Sequence, residues 1–321
     1  MNTKNLLGFG LVAILAILTV SNPFTSTYVH QLKNEAVQTS SSENKLLKSI
    51  EAAAKKYDIP PQDAQIDRVW KAMPGYNGIQ VDIEASYKKM KGRSFDERKL
   101  VFKQIPPKVH LDDLPPAPIY RGHPDKPMVA LLINVAWGNE YLPSILQTLK
   151  KHNVQGTFFL EGRWVKENPD LAKMIAAGGH EIGNHSYSHP KMESLGTAQA
   201  REEIVKANEV IEATTGKKPV WFGPPSGGFR EETIEIAHDL NMKTVLWTVD
   251  TIDWQKPSPG TILKRVMSRV HPGAMILMHP TDPTAQALEQ LIIQIKSKHL
   301  RIGTVSKLMD EEYIIKIQTA Q

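Results

Sequence analysis

The chain has 321 residues, no cysteine and a net charge of +5. The lack of cysteine excludes disulfides, thiolate chemistry and lipid attachment at a thiol. With 41% hydrophobic residues it can bury the core of one large domain plus a smaller one. The positive excess is spread out, with no basic stripe interleaved with aromatics. It therefore argues against nucleic acid and suits anionic polymers or a membrane surface.

The N-terminus carries Lys4, then an uncharged apolar run from Leu6 to Val20. Fifteen residues are short for a free-standing span and right for a signal-peptide core. No small-x-small cleavage site follows, so residues 1–22 read as either a signal peptide or a retained membrane anchor. Both place the rest of the protein outside the cytoplasm. Residues 23–42 are polar and Ser/Thr-rich and read as a flexible tether. A small α/β module is expected over 43–105. Leu46, Leu47, Ile50 and Ala54 have helical spacing, and Asp58-Ile-Pro-Pro ends that helix. After Ile66–Trp70 and the turn Pro74–Gly78, Ile79–Ile83 alternates like a strand, Glu84–Lys91 reads as a helix and Leu100–Ile105 as another strand. Prolines at 106, 107, 115, 116 and 118 mark a stiff linker over 106–122.

From His123 to about residue 315 strand and helix alternate. Strand signals lie at Val129–Ile133, Gly156–Leu160, Glu181–Gly183, Val220–Phe222, Thr244–Val249, Ala274–Met278 and Arg301–Thr304. Helical patterns at Tyr141–His152, Pro169–Ala177, Ala198–Thr215, Glu231–Leu240, Pro259–Val270 and Ala285–His299 separate them. Seven strands alternating with helices predict a parallel β/α barrel, whose chemistry collects at the C-terminal strand ends.

The suggestive residues all fall at those ends. The third strand delivers His185 and His189, four apart, so that both imidazoles can face one point and one divalent cation. Asn134 and Trp137 follow the first strand, Pro225 and Ser226 the fourth, Asp250, Asp253 and Trp254 the fifth, and His279 the sixth. Scattered surface polars would not share one end of a barrel.

Thr157-Phe-Phe-x-x-Gly162, His185-Ser-x-x-His-Pro190, Phe222-x-Pro-Pro-x-Gly227, Trp247-x-x-Asp-x-x-Asp-Trp254 and Leu277-x-His279 together resemble the polysaccharide deacetylases of the NodB-homology type. The resemblance covers roughly residues 125 to 310. The whole chain looks like the sporulation-associated members from endospore-forming bacteria. It implies a distorted (β/α)7 barrel acting on N-acetyl sugar polymers, peptidoglycan or chitin-like. It also implies a divalent metal, zinc, held by one aspartate and two histidines, with a second aspartate as general base. Residue by residue, His185 and His189 match the metal ligands and His279 the acid that protonates the leaving amine. Asp250 or Asp253 matches the carboxylate that orients it. The backbone N–H of Ser226, after Pro225, matches the oxyanion donor.

The first motif departs from that pattern. Asn134 stands at the base position and cannot take a proton near neutral pH. Val135 stands at the metal-carboxylate position and cannot ligate, and Gly223 replaces the arginine that pairs with the base. These losses fit one another, since a guanidinium without its carboxylate would be an unpaired charge. Two imidazoles alone imply a metal held weakly or not at all. Three readings follow: a deacetylase of C–N acetamide bonds with a rearranged site, a non-catalytic cell-wall glycan binder, or an envelope-tethered scaffold. In the second, Trp137, Tyr187 and Trp254 would stack on sugar rings, where otherwise they would pack in the core.

Overall fold

The computed structural model describes residues 16, 17, 19 and 22–314. The expected signal or anchor run lies almost wholly outside the described residues. Among them no helix is long and apolar enough to cross a membrane.

The chain divides into two compact units, residues 1–59 with 79–103, and residues 60–78 with 104–321. The first unit is built on α1 (Pro23–Tyr57) and α2 (Ile83–Met90). Residues 23–42, expected as a flexible tether, are helical instead. The Asn22 side chain accepts the Phe24 N–H, Pro23 takes the first helical position, and no glycine or proline interrupts residues 24–57. The far end of α1 buries Leu46, Ile50, Ala53 and Ala54 against Val81, Met90 and Leu100. Asp58 ends α1 and accepts the Val81 N–H at 2.7 Å. Asp82 caps α2 by accepting the Ala85 N–H.

Residues 60–78, expected inside the small module, cluster with the second unit. They form an antiparallel hairpin of β1 (Gln65–Asp67) and β2 (Lys71–Met73). A short pair, β3 (Gly78–Val81) and β4 (Phe102–Ile105), follows. The expected linker over 106–122 is also part of the second unit. Ile119 is buried in its core, bridges Lys71 on one side and runs parallel to Val245 on the other. The Leu246 N–H bonds to the Ile119 carbonyl. This insertion explains why the expected strand Thr244–Val249 is split in two.

The barrel sheet contains eight strands: β5 (Met128–Val135), β6 (Thr157–Leu160), β7 (Glu181–Asn184), β8 (Trp221–Phe222), β9 (Lys243–Thr244), β10 (Val249–Asp250), β11 (Met275–Met278) and β12 (Arg301–Gly303). They run in the order β10-β11-β5-β6-β7-β8-β9, with β12 beside the start of β5, and their pairings are parallel. The result is a curled parallel half-barrel, consistent with the distorted (β/α)7 expectation. The helices between strands are α3 (Leu142–Lys151), α4 (Gly162–Glu167), α5 (Pro169–Ala177), α6 (Thr197–Thr215), α7 (Glu231–Asp239), α8 (Pro259–Met267), α9 (Asp282–Ser297) and α10 (Val305–Met309).

β5 is buried along its whole length, as a central parallel strand between two layers must be. Its residues alternate between two cores. Val129, Leu131, Ile133 and Val135 join the layer with α3, α8 and α9, while Met128, Ala130 and Leu132 join Phe159, Trp221, Val245 and Met275.

Candidate functional site

Beyond Asn184 at the end of β7 the chain makes a tight turn fixed by α6. Asn184 accepts the Ser186 N–H at 2.7 Å and donates through Nδ2 to the Ile204 carbonyl and to Asn208 Oδ1. Glu203 accepts the N–H groups of Tyr187 (3.0 Å) and Ser188 (2.8 Å) and the Ser188 hydroxyl (2.7 Å). Ser186 and His189 both take left-handed backbone, φ 62° and 55°. Held this way, His185 and His189 lie with ring centroids 5.0 Å apart at 70°.

His185 is buried, and its Nδ1 lies 2.6 Å from the Gly223 carbonyl oxygen. A carbonyl only accepts, so Nδ1 carries the hydrogen and Nε2 keeps its lone pair. Burial, then the neighbouring His189, push the His185 imidazole down to about 3. Burial also lowers His189. His185 and His189 follow β7 and His279 follows β11, and these strands run parallel in one sheet, so all three imidazoles leave the same end of the barrel.

At the tip of β11, His279 faces Asp253, which is fully buried. Asp253 accepts the His279 backbone N–H at 2.6 Å, its ring Nδ1–H at 2.8 Å and the Thr284 hydroxyl at 2.5 Å. Burial alone would raise the Asp253 carboxyl, but the bonds and charge of His279 and the Thr284 hydroxyl outweigh it and hold it below its ordinary value. Trp137 stacks on the His279 ring, centroids 5.8 Å apart and planes 7° from parallel. Gly138, at φ 85°, lets that loop lie against Pro280, since a Cβ there would sit 1.9 Å from the Pro280 carbonyl oxygen.

Of the two carboxylates that the sequence left open, only Asp253 meets His279. Asp250 accepts the Ile252 N–H at 2.7 Å and shapes its own turn. Pro225 is buried, while Ser226 is exposed with left-handed backbone, φ 56°. Trp137 and Trp254 are 46% and 55% exposed, so neither is a core residue. Tyr187 is half-buried against the helical layer, with Lys206 Nζ 5.9 Å from its ring. Asn134 is buried at the tip of β5 beside Phe159 of β6, and Val135 is completely buried in apolar surroundings. The sequence reading missed Glu203, Asn208, Thr281 and Thr284. Only Thr281-Asp-Pro-Thr284 carried a local signal, that of a helix start: the Thr281 hydroxyl accepts the Thr284 N–H.

The sequence model of the polysaccharide deacetylase family matches residues 121–245. The peptidoglycan-N-acetylglucosamine deacetylase of Bacillus cereus is 36% identical over 194 residues, 59% of this chain and 70% of that protein. The chain belongs to the polysaccharide deacetylase family. Over nearly its full length it is similar to the uncharacterized protein YlxY of Bacillus subtilis, 56% identical over 92% of this chain and 93% of that one. Among solved structures it is similar to a pseudoenzyme of carbohydrate esterase family 4 from Bacillus anthracis. The two are 56% identical with a TM-score of 0.81, over 84% of this chain and 96% of that one. A variant of that pseudoenzyme, described as having restored enzymatic activity, is 55% identical at the same TM-score, over 84% of this chain and 99% of that chain.

Deacetylases of this family depend on a metal. The residues here do not fit one. Among the described residues no three His, Asp or Glu side chains are grouped to hold an ion. A catalytic zinc keeps three protein ligands, whereas the resemblance offers only His185 and His189, and Val135, which it sets against the metal carboxylate, is buried among apolar side chains.

Proposed function

We propose that the barrel binds N-acetylated cell-wall glycan, peptidoglycan in the first place, without hydrolysing it. The observation that carries this reading is the mismatch at the strand tips. The base and metal-carboxylate positions hold Asn134 and a fully buried Val135, while the His279–Asp253 pair and the exposed Trp137 and Trp254 remain. Amide hydrolysis needs an activated water, and nothing at those two positions generates one. Sugar rings still find flat aromatic faces, and Asn134 offers both a donor and an acceptor to an acetamide. The relatives that act on peptidoglycan and the pseudoenzyme at 56% identity support the same reading. It locates the protein outside the cytoplasm, with the N-terminal run as signal or anchor. The likeness of the whole chain to sporulation-associated members points to the spore envelope.

The test is to offer the purified protein insoluble peptidoglycan and N-acetylglucosamine oligomers, with and without added zinc. Expected are co-sedimentation and no acetate. Release of acetate by the unmodified chain, abolished by a chelator, would overturn the non-catalytic reading, and failure to bind either glycan would leave the scaffold reading.

A further inference from the structure

The first turns of α1 carry a stripe of exposed large apolar side chains. Phe24 is 84% exposed, Tyr28 62%, Leu32 46% and Val29 44%. Phe24, Tyr28 and Leu32 follow one another at i, i+4 and i+8, with Thr25 and Val29 beside them. Ser26, His30, Lys33 and Asn34 occupy the opposite face. The stripe is about 140° wide, beyond the roughly 100° of an ordinary amphipathic helix. The other end of the same helix buries Leu46, Ile50, Ala53 and Ala54, so burying an apolar face is what this helix does where a partner is present.

Directly before the stripe in sequence lies the apolar run Leu6–Val20. At about 1.5 Å per residue a helix of that length would reach about 22 Å, short of the roughly 30 Å hydrocarbon core. Between run and stripe, Asn22 has extended backbone, and its side chain caps the start of α1. A second copy of the chain is the poorer occupant. A paired-helix seam alternates steps of three and four, and the next seam positions after Tyr28 are Gln31 and Glu35.

We propose that the first turns of α1 lie along the lipid–water interface, with Phe24, Tyr28 and Leu32 in the acyl boundary and Lys33 facing water. The stem starts at the Asn22 cap, presents aromatics at the level where membranes favour them, and immerses apolar residues next to a run too short to span. It rests on the reading that the N-terminal run engages a membrane.

The chain has no cysteine, so single probes are simple to place. Leu32→Cys and Ser26→Cys of the full chain are labelled with an environment-sensitive fluorophore. Each is reconstituted in phosphatidylcholine–phosphatidylglycerol vesicles containing spin-labelled acyl chains. Position 26 is nearer the apolar run but on the polar face, and position 32 is farther but on the stripe. The proposal expects the probe at 32 to be quenched several-fold more than at 26. If the protein floats with vesicles yet 26 is quenched at least as much as 32, α1 rises away from the surface and the stem is overturned while the anchor stands. If the protein does not float, both readings fall. Cross-linking of two Leu32→Cys chains through the introduced thiol, with no quenching there, would assign the stripe to a second copy and also overturn the proposal.

Discussion

Asp253 holds His279 twice, accepting the backbone N–H at 2.6 Å and the ring Nδ1–H at 2.8 Å, so that one buried carboxylate fixes both the place and the tautomer of the imidazole. The Thr284 hydroxyl donates to the same carboxylate, and Trp137 covers the ring. Asp253→Asn keeps the shape but sets an amide N–H against donors. We expect a loss of about 1–3 kcal/mol in denaturant unfolding. The Asp253 carboxyl titrates below its ordinary value of 3.8 when folded. Its stabilising contribution is therefore present above that value and is lost as pH falls through the lower folded one. The gap between wild type and Asp253→Asn should close in strong acid. A gap that persists there would mean that the carboxylate charge contributes nothing.

Restoring the first motif should show its cost before its benefit. Val135 is wholly buried among Ile133, Leu160 and the helical layer. An aspartate there is an unpaired charge until a cation arrives, so Val135→Asp with Asn134→Asp should lose about 3 kcal/mol or more without metal. Zinc should return much of that loss by binding the folded state alone. Adding Gly223→Arg should lower stability by a further ~1–3 kcal/mol, because a Cβ at 223 would lie 2.9 Å from the Phe159 ring. Calorimetry with and without zinc reads all three states. A double variant whose melting temperature ignores zinc would show that Val135 does not occupy the metal-carboxylate position.

How far the fold could be read from sequence varies with what each stretch packs against. The alternation of apolar runs gave the barrel strands, and with them the placing of His185 and His189 after β7 and of His279 after β11. Residues 23–42 misled because Ser and Thr resemble a linker in composition, whereas capping by Asn22 and uninterrupted backbone bonds make a helix. The prolines at 106–118 concealed Ile119, whose insertion beside Val245 is a long-range pairing with no local pattern. The choice of Asp253 over Asp250 was likewise invisible. Both are aspartates of one motif, three residues apart, and only the path of the chain after β10 decides which carboxylate meets His279.

Acid should destabilise the barrel through a histidine far from the strand tips. His180 directly precedes β7, accepts the Gly156 N–H at its Nδ1, and is pushed by burial down to about 4. The unfolded chain takes up that proton near 6.5, so between these values the unfolded state binds more protons and stability falls as pH drops. The steepest contribution of one such group is about 1.4 kcal/mol per pH unit. His180→Gln can still accept the Gly156 N–H and has nothing to titrate. Its stability should change less across that window, measured by urea unfolding at a series of pH values. Identical slopes for the two proteins would remove His180 as the cause.

Glu203 should control the loop that carries His185 and His189 without touching either ring. Its carboxylate gathers three donors from Tyr187 and Ser188, and no other side chain bonds those two backbone N–H groups among the described residues. Glu203→Ala leaves both N–H groups to water or unpaired, at about 1–3 kcal/mol of local stability. Glu203→Gln keeps an acceptor and should recover part of the loss, because a charged acceptor is roughly twice as strong as a neutral one. Amide exchange at Tyr187 and Ser188 should therefore accelerate in the order wild type, Gln, Ala, while the amides of β5 keep their protection. Glycan binding should weaken in the same order if the loop forms one wall of the groove. Uniform loss of protection across the barrel would instead make Glu203 a general stabiliser, with no special hold on the imidazoles.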